Sequence, residues 1–383
     1  MKKLLILFIA CAALLRSCFD FPVTPGPGPE PETETEEETF YVPEAKVDVP
    51  LYDGTPRYAY GTLDEEQKAL YEKIRGGAAD LQPYVQIDDA LEASYVYQAV
   101  FFDHPELFFI TEKPKIKEGK LYYEYVFTSD QIKSTFEGLD EAYNVFVTEN
   151  ITGGMTEFEK FLTVYTYLVN ITKYAEDAYE LYEENKFSYG VYRSMSAAGP
   201  LCDRRSICTG YARATQYLCQ RLGIECFTVN GYGNEGNHYF NIVKLGGNWY
   251  YSDTTWGDPV GSDRSIDYLT YYYFCTTTEE LLRTRSIYSV IPMPECTATE
   301  YNYFRYFDLY AETLEQAESI LCREYEKGLR DITIKVPYGD TGEAIYDALH
   351  NGSLYNAMYE RGLDPSDYRI SYGKQTQAII IRF

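Results

Sequence analysis

Between Thr156 and Tyr174 apolar side chains recur three and four positions apart, at Phe158, Phe161, Leu162, Tyr165, Leu168 and Val169. That spacing places them on one face of an α-helix. The same period runs through "TLDEEQKALYEKIRGG" and "LEASYVYQAVFFDHPELFF", and through the Tyr, Ala and Leu positions that follow Cys208 and stop at Gly223. Strand-like runs are "KLYYEYVF", "ECFTVNGY" and two segments joined by Gly246-Gly247. Beyond Pro294 the pattern predicts a strand in "YFRYFDLY", a helix in "TLEQAESILCREYEKG", a strand in "DITIKVP", one or two helices, and strands in "YRISYG" and "QAIIIRF". This order predicts an α+β chain in three folded parts: an N-terminal α+β domain over residues 49–150, a central domain over 151–295 and a small α/β domain over 296–383.

The first 48 residues carry neither period. Met1-Lys2-Lys3 supplies a positive start and "LLILFIACAALL" an apolar stretch too short for a comfortable membrane span, so residues 1–18 are predicted to be an export signal. Leu15-Arg16-Ser17-Cys18 resembles a bacterial lipobox, whose cysteine becomes the acylated N-terminus. Cys18 is therefore the expected lipidation site, with ordinary signal cleavage and secretion as the alternative. Residues 19–48 are rich in Pro and Glu and poor in apolar side chains, which predicts an extended, solvated stalk. The expected location is the outer face of the bacterial cytoplasmic membrane, with the lipid as the only membrane contact.

Charge narrows the partners. Thirty-four basic against 59 acidic residues leave a net charge of -25, which repels phosphate backbones and excludes nucleic acid as an expected partner. The 41 tyrosines suit grooves for peptides or glycans, although packing and sheet propensity account for them equally well. Nine cysteines are present; with Cys11 and Cys18 in the signal, the remaining seven are an odd set, so at least one thiol is unpaired. With no C-x-x-C pair and only three histidines, neither a metal nor an organic cofactor is expected. His104, in "FFDHPELFF" just before Pro105, is read as structural.

Candidate chemistry lies around Cys208. If Gly246-Gly247 forms a two-residue turn, Leu245 faces Asn248, and counting back along both strands sets Phe240 opposite Asp253. His238 shares a face with Phe240 and becomes a diagonal neighbour of Asp253, about 7–8 Å away at the backbone and within side-chain reach. A cysteine at a helix start meets exposed N–H groups and the positive dipole end, which favour a thiolate and can cradle an oxyanion. Cys208, His238 and Asp253 thus match nucleophile, general base and orienting acid.

The segments "CTGYARATQYLCQRLGIECFTVNG", "HYFNIV" and "WYYSDTTWGDP" resemble the transglutaminase-like superfamily, with its Cys-Gly-Tyr-Ala-type helix start, His-bearing strand and Asp-x-Thr-Trp segment. The flanking "DHPELFF" and "PECTATEYNYF" also look like stretches beside this domain in exported bacterial proteins. Ser206 stands where glycine is common in the family, and Tyr239-Phe240 replaces a small residue and Trp. The resemblance implies a papain/transglutaminase-like core, a Cys-bearing helix packed on an antiparallel sheet that bears His and Asp. It implies a Cys208-His238-Asp253 triad acting through an acyl-thioester on a protein or peptide substrate, cell-wall peptide among the candidates. Where papain-like proteases place a glutamine this chain has Cys202; Tyr174 is the alternative oxyanion candidate, and Trp256 a candidate wall of the site. The expected activity is a cell-surface cysteine hydrolase of peptidase or amidase type. A crosslinking acyltransferase with the same triad and a non-catalytic glycan- or peptide-binding protein are the alternatives.

Overall fold

A computed structural model describes residues 41–383 apart from 53, 234–235, 258–268 and 366. The export signal, Cys18 and the stalk up to residue 40 lie outside the described residues. Helix α1 (Glu65–Ala79) opens on a capping box in which Asp64 and Gln67 satisfy each other's N–H groups. Strand β1 (Tyr84–Gln86), helix α2 (Ala90–Asp103), and strands β2 (Lys115–Lys117) and β3 (Lys120–Tyr122) follow, the strands forming a small antiparallel sheet in the order β1-β3-β2. Of "KLYYEYVF" only Lys120–Tyr122 pairs as a regular strand, with Tyr125 making an isolated bridge to Ile110. Helix α3 (Ser129–Asn150) begins at a second capping box, Thr128 with Gln131.

Helix α2 ends at His104, where Pro105 cannot continue it, and its last carbonyls are left without helical partners. Side chains from elsewhere satisfy them. Arg213 donates to Phe101 O (3.1 Å), Gln216 to Phe102 O (2.7 Å) and Gln220 to Asp103 O (3.1 Å). These three donors are spaced as one stripe of helix α7 (Cys208–Arg221), whose residues from Cys208 to Gln220 are all buried. Beneath lies a sealed polar knot. His104 shares hydrogen bonds with Tyr71 and Glu106, both 2.8 Å, while Arg57 ion-pairs with Glu106 at 2.7 Å and reaches Gln220. Burial, together with Arg57, pushes the His104 pKa down against the pull of Glu106, so the ring is a neutral structural link.

Between α3 and α7 the chain forms α4 (Glu157–Ile171), β4 (Lys173–Tyr174), α5 (Glu176–Glu183), α6 (Tyr189–Ser194) and β5 (Arg205–Ser206), with β4 and β5 paired in parallel. Helix α4 buries Phe158, Phe161, Tyr165, Leu168 and Val169, five of the six positions that its period selects. After α7 come β6 (Cys226–Gly233), β7 (Gly236–Leu245) and β8 (Asn248–Ser252), then α8 (Thr278–Leu282) and β9 (Ser286–Ile287); the sheet order is β8-β7-β6-β9, antiparallel throughout. The β7–β8 turn places Gly246 and Gly247 at φ of 55° and 87°, and Leu245 pairs with Asn248. The ladder runs back to Asn241 opposite Ser252, a register that aligns Phe240 with Asp253. One apolar core, from Ala59 to Cys296, continues across residues 150–151 and joins α1–α4, α7 and the sheet.

A second core begins at Ala311. Helix α9 (Tyr303–Tyr306) precedes it, then α10 (Leu314–Glu326), β10 (Asp331–Lys335), α11 (Asp340–His350), α12 (Ser353–Glu360), β11 (Arg369–Gly373) and β12 (Ala378–Arg382), with sheet order β10-β12-β11. The strand expected in "YFRYFDLY" is therefore a short helix. Asn302 caps it by accepting from Phe304 N, and Tyr303 stacks on Tyr271 with ring centroids 3.7 Å apart. Its aromatics at 303, 304, 306, 307 and 310 recur three and four positions apart, the spacing of a helix face.

Candidate active site

Cys208 is the first residue of α7 and is buried, 4% exposed. The residue before it, Ile207, occupies the cap position with no side-chain acceptor to offer. The backbone N–H groups of Cys208 and Thr209 consequently have no described acceptor, whereas those of Gly210 and Tyr211 already bond to Ile207 O. Two free donors at the nucleophile are what a developing oxyanion needs. Gly210 is fixed by crowding: a Cβ there would meet Ser206 Oγ and the carbonyl oxygens of Ser194 and Ser196, the last at 2.8 Å. Ser206 Oγ donates to Ser194 O at 2.6 Å and holds the entry strand against α6.

His238 and Asp253 meet as the hairpin register requires. His238 Nε2 and Asp253 Oδ2 are 2.8 Å apart, with Asp253 wholly buried and the His238 side chain 8% exposed. That leaves the other ring nitrogen for Cys208, whose side chain is hydrogen-bonded to the imidazole. Burial alone would disfavour the imidazolium, but the charge of Asp253 and its hydrogen bond, with support from Cys208, outweigh it and raise the His238 pKa to about 9. Burial likewise disfavours the Asp253 carboxylate, yet His238 and Arg285 hold its pKa down at about 2.

Arg285 is the participant that sequence reasoning missed. Its Nε and Nη2 donate to Asp253 Oδ2 at 3.1 and 2.9 Å, and both side chains are fully buried. It stands immediately before the edge strand β9, next to Ser286, in "LLRTRSIYS", where no local pattern marks it. Gly231 on β6 admits that strand, since a Cβ there would strike Ser286 O. Asp253 is further held through Trp256 N to Oδ1 (3.2 Å), and its neighbour Thr254 bonds to Thr215 of α7 at 2.8 Å. The orienting acid is thus tied directly to the helix that carries Cys208.

Of the remaining candidates, Trp256 sits beside this cluster: Arg285 lies 5.1 Å over its ring and 4.1 Å over that of Tyr273. Tyr174 pairs with Ser206 in the β4–β5 ladder, two residues before Cys208, and its ring packs near Tyr179 at 6.2 Å. Among the described residues no group of three or more His, Cys, Asp or Glu could hold a metal ion, and no helix is long and apolar enough to cross a membrane. Cys202, Cys208, Cys219, Cys226, Cys275, Cys296 and Cys322 are all free thiols, and Cys208 alone adjoins an imidazole–carboxylate pair.

Residues 146–254 match the family model of the transglutaminase-like superfamily. Kyphoscoliosis peptidase of Homo sapiens is 24% identical over 152 residues, 36% of this chain and 21% of that protein. The Mus musculus protein of the same name is 22% identical over 188 residues, 42% of this chain and 27% of its own length. The chain therefore spans about a quarter or less of the curated relatives it matches. The solved structure of a TGase aligns over 70% of this chain and 76% of its own, with 14% identity and a TM-score of 0.29. The segment that carries Cys208, His238 and Asp253 belongs to the transglutaminase-like superfamily.

Proposed function

We propose that this protein is a cysteine hydrolase, of peptidase or amidase type, in which Cys208, His238 and Asp253 act as nucleophile, general base and orienting acid. The observation that carries the reading is the 2.8 Å His238–Asp253 hydrogen bond whose imidazole also engages the thiol at the start of α7. When the thiol proton passes to His238, thiolate and Asp253 offset imidazolium and Arg285, and the transfer within the cluster leaves its net charge at zero. The thiolate adds to an amide carbonyl, the oxyanion lies against the N–H groups of Cys208 and Thr209, and His238 delivers its proton to the departing amine. Water, activated by the same imidazole, then opens the acyl-thioester.

Alkylation with limiting iodoacetamide, mapped by mass spectrometry, tests the nucleophile. Labelling is expected at Cys208 first and is expected to slow by an order of magnitude or more in His238→Ala. Equal labelling of several cysteines in both proteins would remove the catalytic reading. A glutamine-peptide library supplied with a labelled primary amine separates the chemistries: cleavage or deamidation is expected, and incorporation of the amine in preference to both would assign a crosslinking acyltransferase. The proposal includes attachment to the outer face of the membrane through Cys18. Cys18→Ala is expected to move the protein to the medium, and unchanged membrane retention would contradict it.

A further inference from the structure

A cavity of about 770 Å³ lies near the candidate triad, whose three residues do not line it; its walls include Thr209, the residue after Cys208, and Tyr239, which points to the sheet face opposite His238. Its walls include Phe101, Tyr182 and Tyr239, and one buried cation, Arg213, lines it one helical turn beyond Thr209. Tyr182 and Tyr239, which line it, lie within electrostatic reach of Cys208.

Arg213 belongs to the stripe of α7 that satisfies the end of α2, but its neighbours do this work without charge. Gln216 and Gln220 give their amides to Phe102 O and Asp103 O and use their oxygens for Thr228 and Arg57. Arg213 needs only one of its five N–H donors for Phe101 O. Its guanidinium stacks 4.0 Å over the Phe101 ring and has no carboxylate within 4 Å among the described residues. None of its nitrogens is an occluded atom lacking a partner, so the unused donors open on the cavity. Glu112 also lines the cavity and is engaged by Tyr239 Oη at 2.7 Å, and Lys113, Glu124 and Glu183 line it as well. Burial holds the Arg213 pKa down, to about 10, against the pull of Glu112, which leaves the group a cation at neutral pH with unmatched charge at contact range.

We propose that this cavity is a substrate subsite and that Arg213 receives a carboxylate there, borne on a side chain or chain end next to the bond attacked by Cys208. The assignment rests on the reading of Cys208 as the nucleophile. A buried guanidinium with free donors binds a carboxylate through charge-assisted, bidentate hydrogen bonds, and the aromatic walls exclude competing water. Glu112 faces the same space, so a bound carboxylate meets some repulsion that its removal relieves.

Peptidyl vinyl sulfones with Glu, Gln or Lys at each of the two positions next to the warhead test this on the intact protein, with rates of covalent labelling at Cys208 as the readout. The Glu probe is expected to react about 10- to 100-fold faster than Gln or Lys probes in one of the two positions. Arg213→Gln keeps the tether to α2 after the manner of Gln216 and is expected to abolish that preference while iodoacetamide still labels Cys208. Glu112→Gln is expected to widen the preference. Equal rates for all three probes, or a Glu preference that survives Arg213→Gln, would overturn the subsite with the nucleophile intact. Loss of iodoacetamide selectivity for Cys208 would instead overturn the nucleophile.

Discussion

Asp253 Oδ2 receives donors from two cations, His238 and Arg285, and both hold its pKa down. Arg285 offsets the carboxylate's buried charge, and in doing so it restrains how far Asp253 can raise the imidazole. Arg285→Met is therefore expected to destabilise the fold by about 3–5 kcal/mol, because a buried carboxylate loses a partner. The same change is expected to move the His238 titration above its present value of about 9, since a neighbouring positive charge disappears. Thermal unfolding and the pH profile of Cys208 alkylation measure the two effects separately. A loss of stability with an unmoved profile would make Arg285 a structural partner alone. Asp253→Asn lacks the charge altogether and is expected to shift the profile downward. Cys208, His238 and Asp253 could be aligned from sequence because one rigid turn fixes the register between His238 and Asp253. Arg285 could not, because the strand that follows it pairs by two residues with β6, with 53 positions between Tyr232 and Ser286, and nothing short-range encodes that contact.

At the scale of elements, the start of α7 is the part most tightly specified by its surroundings. Crowding by the carbonyl oxygens of Ser194 and Ser196 reserves position 210 for glycine, and the carbonyl of Ser194 also receives Ser206 Oγ. Gly210→Ala forces the helix start away from α6, which is expected to cost roughly 1–3 kcal/mol and to displace Cys208 from His238. Chemical denaturation and iodoacetamide selectivity should therefore fall together; a stable variant with undiminished Cys208 labelling would show that the entry loop yields instead. The period of α7 is legible as a helix, but its polar residues read as a solvated face. They are buried because α2 stops at Pro105 and presents bare carbonyls to Arg213, Gln216 and Gln220. Neither segment announces the other, so the joining of the N-terminal helices to the candidate catalytic core is invisible to a local reading. "YFRYFDLY" fails for a related reason: the cap at Asn302 and stacking on Tyr271 outweigh an aromatic content that suits a strand.

Across the whole molecule, buried titratable groups set opposite limits on the pH range of stability. The folded pKa of His104 is lowered by burial, so the unfolded chain binds the extra proton and stability falls as pH drops below about 6.5. Glu106, held down at about 2 by Arg57 and His104 against its burial, adds a further loss as pH falls from the ordinary carboxylate range. His238 has the reverse sign. Its folded pKa of about 9 lies above the unfolded value, so its contribution is complete below about 6.5 and is lost as pH rises through 9, a change of up to roughly 3 kcal/mol. Above that window the thiols of Cys226, Cys275 and Cys296 and phenols such as Tyr71, Tyr97 and Tyr165, all raised by burial, make the folded chain hold protons that the unfolded chain releases. Stability is therefore expected to peak near pH 6.5, decline gently to about pH 9 and then fall steeply. Urea denaturation between pH 5 and 11 resolves the stages. His238→Ala should remove the gentle decline and keep the steep one, because the tyrosines and thiols remain. An unchanged slope between pH 6.5 and 9 in that variant would mean that His238 holds no proton beyond one taken from Cys208, and the gentle decline would not belong to His238.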